Sequence, residues 1–459
     1  MIDVVLKYCK RFLNDDVVFV RVLTNSGWLL SANTLVMGLR FLQGVIIARL
    51  LGVEQYGILT LITTYTATVN QFVDSRVWET AIKFVTQYRE EGDFARATVT
   101  VKLCYLVDAV TGLLAFGLIF LTANLAAALF VKDLAAANLI QFYAFSLLIA
   151  IPFGTSSALL RVDDRFDWLA YVNAGEAILK LIGISAIAVV GGGVLSILSV
   201  LLSGRLVGVL ALLLLSQRSV NASHKVAWKD APLSLLRGQY RRVLGFTAFS
   251  NLSATSRIIT SRADALILGW MATPYEVGLY QLAKTISSPL VIFLSPVYTA
   301  VYPELSRLVG QGRFQQIKNL QWRLSSSIAL IILPAAGILT LIVAEVIPWA
   351  FGEEYGPAIV LAQVMVWTVI WTPLIWLPGL LLSLEKTRLL AGLNWLDAFN
   401  YVVLLLLFIP LWGDLGAAVA TLLRFVMWTL LGLGILAYIH FTVWAQKNET
   451  EIPEEAPVD

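Results

Sequence analysis

The sequence predicts an all-α integral membrane protein of about twelve transmembrane helices, arranged as two homologous six-helix bundles. Three observations lead there. The 459 residues are 58% hydrophobic and only 14% charged, with a mean hydropathy of +0.79, too little polar surface for a water-soluble protein of this size. Apolar stretches of spanning length, roughly 20 residues each, begin near Ser26, Gly57, Thr98, Ala135, Trp168, Val194, Val243, Glu276, Arg323, Pro357, Arg388 and Asp414. The halves also match each other. A spacing of 221 relates Gly57 to Gly278, Phe130 to Phe351, Pro152 to Pro373, Asn173 to Asn394 and Glu176 to Asp397, and a spacing of 220 relates Gly92 to Gly312 and Phe94 to Phe314. Glycine, proline and asparagine constrain backbone geometry, so their recurrence marks duplication of structure. Six spans per half return each half to the same side, which makes the repeat parallel, about an axis along the membrane normal.

In chain order, residues 1–25 form a cytoplasmic amphipathic segment. Asp3, Lys7, Lys10, Arg11, Asp15 and Asp16 interrupt any apolar core of a signal peptide there. Residues 26–217 make the first six-helix lobe, 218–242 a basic cytoplasmic connection, 243–441 the second lobe and 442–459 an acidic cytoplasmic tail. The loops on the side shared by both termini carry 21 Lys and Arg, whereas the opposite loops carry only Arg49 and Lys132 beside seven acids. By the positive-inside rule both termini are cytoplasmic. The net charge of +3 is dispersed among loops and points to topology, not to nucleic acid.

Several function classes fit poorly. The chain lacks GxxxxGK[ST], so it has no phosphate-cradling loop for driving a pump with ATP. Its two histidines and two cysteines lie far apart in sequence, against a metal site, a disulfide framework or a Ser-His-Asp hydrolase, and no cofactor is expected. The outer loops are short, against a catalytic site folded over a glycan.

The charges inside the predicted spans are the informative residues. Ten are basic and six acidic, and each must meet water, a partner or the interface. Glu79 with Lys83 and Glu176 with Lys180 are i,i+4 pairs that can satisfy each other, while Lys102 and Arg205 read as snorkelling near helix ends. In the seventh span Ser253, Arg257, Thr260, Ser261 and Asp264 share one helical stripe, which either lines water or lets Arg257 and Asp264 bridge each other. Its repeat partner, the first span, carries Asn33, Arg40 and Gln43. The second span aligns Thr66, Asn70 and Asp74, and the eighth Gln281, Lys284 and Ser288. Arg424 in the last span lines a cavity or pairs between helices. The positive excess suggests an anionic cargo. Arg40, Arg257, Lys284 and Arg424 are expected to form a cationic cavity, with Asn33, Gln43, Asn70, Ser253, Ser261 and Gln281 as its polar lining. Asp74 and Asp264 are the candidates for coupling to a proton or sodium ion. Pro152, Pro289, Pro296 and Pro373 are expected hinges. Trp367, Trp371 and Trp376 supply aromatic faces near Pro373 for packing, lipid or sugar rings.

The run ARLLGVEQYG and its counterpart RADALILGWMATPYEVGLYQLA, with the loops REEGDFAR and VGQGRF, resemble the signature regions of polysaccharide flippases in the multidrug/oligosaccharidyl-lipid/polysaccharide exporter superfamily. The resemblance runs from about Ser26 to Phe441. It implies a V-shaped carrier around a central, often cationic, cavity. The cargo it implies is an undecaprenyl-pyrophosphate-linked oligosaccharide, for O-antigen, capsule or a related glycan, moved across the bacterial inner membrane. Implied partners are that lipid-linked substrate, membrane lipid, a coupling ion and polysaccharide assembly proteins. Asp264 matches the acidic position before ILG in the signature. Two rivals remain: a cation-coupled multidrug antiporter of the same superfamily, for which an acidic or aromatic cavity is expected, and a membrane glycan polymerase, which requires a catalytic carboxylate reachable by donor and acceptor.

Overall fold

The computed structural model describes residues 17–223, 232–236, 259–292 and 294–439, together with Ser256. Every regular element among the described residues is helical. Eight helical stretches there are long and apolar enough to cross a membrane, and the chain is a multi-pass membrane protein. It divides into two compact units, Met1–Ile258 and Ile259–Asp459. Most of the expected connection 218–242, and the first part of the expected seventh span, lie outside the described residues.

The first unit opens with α1, Val17–Val73. Its 57 residues would extend about 85 Å as one straight helix, against about 30 Å of hydrocarbon. Gly52 interrupts it at φ 71°, ψ 173°, a conformation open essentially to glycine. The helix is already formed at Val17, ahead of the expected start of the first span near Ser26. A second break, at residues 74–76, separates α1 from α2, Val77–Glu90. Arg76 there adopts the left-handed conformation at φ 52°. Then follow α3, Phe94–Ala126, extended by a π turn over Ala127–Val131; α4, Ala136–Ala150; α5, Phe153–Val162; α6, Phe166–Val190; and α7, Val194–Ser223. Pro152 caps α5 and divides it from α4. A core of Phe84, Val85, Tyr88, Leu103 and Leu159 joins α2, α3 and α5.

In the second unit residues 259–271 form α8, followed by α9, Pro274–Ile292; α10, Ser295–Gly310; α11, Phe314–Phe351; α12, Ala358–Val366; α13, Leu377–Ser383; and α14, Thr387–Ile439. Pro296 lies in the first turn of α10, so the chain breaks between α9 and α10, while Pro289 lies within the last turns of α9. Pro373 sits in a 3-10 stretch, Trp367–Leu374, that divides α12 from α13. Ser325 donates to the Pro373 carbonyl at 2.7 Å and accepts from the Trp376 indole at 3.0 Å, which satisfies backbone that a regular helix would have used. Trp376 is buried in the core with Leu377, Leu380 and Leu381, and Trp371 stacks on Phe425 at 5.9 Å. Both therefore serve packing. Trp367 is the more exposed of the three.

The two units share their special turns. Gly92 and Gly312 have φ of 75° and 70°, and each closes a helix in the same way: Asp93 N bonds Tyr88 O at 2.8 Å, and Arg313 N bonds Leu308 O at 3.0 Å. These are Schellman turns, which satisfy the last carbonyls of a helix. Asp164 and Glu385 repeat the motif at φ 56° and 58°, with Arg165 N on Leu160 O and Lys386 N on Leu381 O. Gly191 and Gly413 carry positive φ at the other ends of the helices that begin after those turns.

Gly413, at φ 59°, bends α14 so tightly that a Cβ on Gly416 would lie 2.0 Å from the Phe408 carbonyl oxygen. Gly416→Ala is expected to lower stability by about 1–3 kcal/mol through forced backbone movement. Gly392→Ala, whose Cβ meets nothing within 4 Å, is expected to be neutral or to stabilise by up to roughly 1 kcal/mol through helix propensity. Thermal unfolding of the purified variants reads the difference, and equal midpoints would contradict this packing.

Candidate functional site

Charged side chains inside the spans gather into small clusters within each unit, because an ion is tolerable in a low-dielectric interior only when its charge and hydrogen bonds are met. In the second unit Asp264, on α8, is almost completely buried. It forms an ion pair with Lys284 of α9 and accepts from the Tyr280 hydroxyl at 2.8 Å. Lys284 also donates to the Ser261 carbonyl at 3.3 Å. Tyr280 and Tyr401 both meet the Thr421 hydroxyl, at 3.0 and 2.9 Å. Beside this chain the Arg424 guanidinium grips both oxygens of Asp397, with Nη2 to Oδ2 at 2.7 Å and Nε to Oδ1 at 2.9 Å. It also donates to the Thr260 carbonyl at 3.2 Å and lies over the rings of Tyr401 and Phe425. Arg424 thereby ties the second half of α14 to its first half and to α8.

Lys284 and Arg424, expected as cations facing a cargo, are thus both held against carboxylates. Asp264, expected as a coupling carboxylate, already has an ammonium partner. Arg257 and Ser253 lie outside the described residues, and so does the side chain of Asn33. Ser261 is exposed and Gln281 half-buried.

In the first unit Gln43 is buried, and its amide donates to the Ala177 carbonyl at 2.8 Å, locking α1 to α6. Arg40, one turn away on α1, is exposed. Glu176 of α6 accepts from Lys180 at 2.5 Å and pairs with Arg205 of α7 at 3.4 Å, so the i,i+4 pair expected from spacing forms and gains a third member. Room for it comes from two glycines of α7. A Cβ on Gly204 would come within 2.5 Å of the Lys180 side chain, and one on Gly208 within 2.5 Å of the Glu176 carboxylate. Arg205 is not a snorkelling residue at a helix end. It is an interior cation, lying 4.1 Å from the centre of the Phe153 ring. Glu79 pairs with Arg76 at 2.6 Å. Nearby, Arg89 and Ser219 both bind the Asp163 carboxylate, joining the ends of α2, α5 and α7.

A partly open cavity of about 270 Å³ lies among α1, α2, α3, α4, α5 and α7, lined by Asn70, Asp74, Asp108, Arg161 and Arg205, with Trp78 in its wall. Asn70 and Asp74 come from the predicted polar line, whereas Thr66 of the same line is buried apart, its hydroxyl without a partner among the described residues. Asp108 and Arg161 were not singled out by sequence. Asp108 has no charged neighbour at helical spacing, and Arg161 reads as a loop residue until Pro152 is seen to start a new helix that carries it.

A buried bidentate pair makes a measurable demand. Arg424→Ala and Asp397→Ala are each expected to lose about 3–5 kcal/mol by leaving an unpaired buried charge. The double variant is expected to lose less than their sum, as read by denaturant or thermal unfolding.

Residues 46–360 match the family model described as polysaccharide biosynthesis protein. Among curated relatives, the chain is 22% identical over 404 residues to the probable low-salt glycan biosynthesis flippase Agl15 of Haloferax volcanii, covering 86% of this chain and 79% of that one. It is 22% identical over 276 residues to the probable flippase AglR of the same organism, covering 58% and 54% of the two chains. Among solved structures, an inward-facing multidrug resistance MATE family transporter of the MOP superfamily superposes with a TM-score of 0.73 at 12% identity, covering 88% of this chain and 95% of that one. The lipid II flippase MurJ in an inward closed conformation superposes with a TM-score of 0.68 at 16% identity, covering 89% and 87%. The two structural likenesses establish a shared fold. The family match, across more than two thirds of the sequence, goes further: this chain belongs to the polysaccharide biosynthesis protein family.

Proposed function

We propose that the chain is a flippase that carries an oligosaccharide linked to undecaprenyl pyrophosphate across the bacterial inner membrane by alternating access, coupled to a proton or sodium ion. The family match carries this reading, supported by curated relatives that are named flippases, one of them for glycan biosynthesis. The same reading makes the chain a twelve-span protein of two six-helix lobes, residues 26–217 and 243–441, with both termini cytoplasmic. The matched Schellman turns at Gly92 and Gly312, and at Asp164 and Glu385, support the parallel repeat. The distribution of Lys and Arg supports the orientation.

Within this reading the exposed Arg40 is the leading contact for the pyrophosphate, with Arg257 as its companion. An exposed guanidinium well inside a span requires water or an anion, and a fork of donors matches phosphate oxygens. The polyprenyl chain stays in lipid while the polar head crosses. O-antigen, capsule and exopolysaccharide repeat units are all cargo of this chemistry, and assembly proteins would meet the basic cytoplasmic loops.

The test is translocation of a fluorescent undecaprenyl-pyrophosphate oligosaccharide in proteoliposomes. Wild type is expected to move it, and Arg40→Ala and Arg257→Ala are each expected to be slower by about tenfold or more, corresponding to loss of a charge-assisted contact of at least about 1.4 kcal/mol. Absence of transport by wild type across several glycans and imposed gradients, with efflux of cationic drugs intact, would overturn the reading in favour of the antiporter.

A further inference from the structure

We propose that the cavity lined by Asp74 and Asp108 in the first unit is a monovalent-cation site, for H⁺ or Na⁺, in which Asp108 is the carboxylate that takes the ion and Asp74 the second. The inference rests on the reading of the chain as an ion-coupled carrier, and it locates the coupling step. Its first support is the state of Asp108, which is 8% exposed. The Thr155 amide and hydroxyl both bond one oxygen, Oδ2, at 3.1 and 2.6 Å. Among the described residues Oδ1 has no hydrogen-bond partner, and Asp108 makes no ion pair. Gly154 permits the approach, since a Cβ there would lie 3.2 Å from Oδ1.

The second support is the rest of the wall. Asp74, in the break after α1, lines the same cavity as Asp108, and a cation held there relieves the mutual repulsion of the two carboxylates. Asn70, Thr111 and Ser157 add neutral oxygens to the same cavity, the ligand type that hard cations take. The charged groups facing Asp108 from the packed helices are Asp74, Arg161 of α5 and Arg205 of α7, with the Cys104 thiol one turn away on its own helix. Neither arginine neutralises Asp108. Arg205 is engaged by Glu176, and Arg161 lies over the Trp78 ring with a buried Nε that has no hydrogen-bond partner among the described residues.

The third support is mechanical. The cavity touches two helix interruptions, at residues 74–76 and at Pro152. Asp74 Oδ1 accepts the Arg76 amide at 3.0 Å and so holds the left-handed turn, while Asp108 holds the first turn of α5 through Thr155. Binding or release of one positive charge therefore changes the electrostatics of both breaks, which is how an ion can bias a hinge. Asp264 offers no such place, because Lys284 already supplies its cation.

The test uses the purified full chain and needs no glycan. Radioactive sodium binding and the pH-dependent infrared band of a protonated carboxyl are measured on wild type, Asp108→Asn and Asp108→Glu, with unfolding midpoints to establish that each variant is folded. If Na⁺ is the ion, Asp108→Asn is expected to weaken its binding by at least about tenfold and Asp108→Glu to retain it. If H⁺ is the ion, wild type shows the band without sodium binding, and Asp108→Asn loses it. Equal sodium binding and equal infrared bands in wild type and Asp108→Asn would overturn the proposal. Glycan translocation with neither signal depending on Asp108 would remove the cavity site alone. An Asp108-dependent ion signal without glycan translocation would leave the site and remove the flippase reading.

Discussion

Ionised groups in a low-dielectric interior must be neutralised where they stand, and both units of this protein are organised around that requirement. In the second unit Arg424 meets Asp397 across the bend at Gly413, and in the first Arg205 meets Glu176 between α6 and α7. Glu176 and Asp397 are 221 residues apart, the spacing that also relates Pro152 to Pro373. Around the first-unit cluster the backbone has been cleared, by Gly204 against Lys180 and by Gly208 against Glu176. Removing Arg424 or Asp397 leaves the other charge buried without its counterion, so these helices cannot be repacked without regard to electrostatics.

Once these pairs are accounted for, the remaining charges acquire distinct meanings. Lys284 and Arg424 contribute to the cohesion of the second unit. Arg40 is exposed, and Asp108, in the cavity of the first unit, makes no ion pair among the described residues. A carrier needs both kinds of charge: a paired set that keeps each bundle intact while it moves, and a smaller set whose neutralisation depends on what is bound. Asp74 and Asp108 each hold a turn at a helix break, so the proposed cation site lies where the backbone is already interrupted.

The all-helical membrane fold was legible in the sequence because hydropathy and span length are strong, local signals. The turns at Gly92 and Gly312 were legible because glycine at matched positions reports backbone conformation. The equivalent turns at Asp164 and Glu385 were not, since neither residue advertises positive φ. Charge pairing was legible only where both partners lie on one helix, as with Glu176 and Lys180. Lys284 with Asp264, Arg424 with Asp397 and Arg205 with Glu176 join separate helical segments, and helical spacing carries no information about such contacts. The same limit hid Asp108, whose importance depends on Thr155 and Gly154 from a different helix. Pro152 and Pro373 marked interruptions correctly, whereas the break at residues 74–76 has neither proline nor glycine to announce it.

The central claim is that buried pairs hold the bundles while exposed charge handles cargo. Exchanging the members of one pair, Asp397→Arg together with Arg424→Asp, tests it most directly when unfolding and glycan translocation are measured on the same preparation. The account predicts that the exchange recovers most of the stability lost in either single charge reversal and recovers transport with it. Recovery of folding without recovery of transport would show that Arg424 acts on the cargo, contradicting the division of roles drawn here.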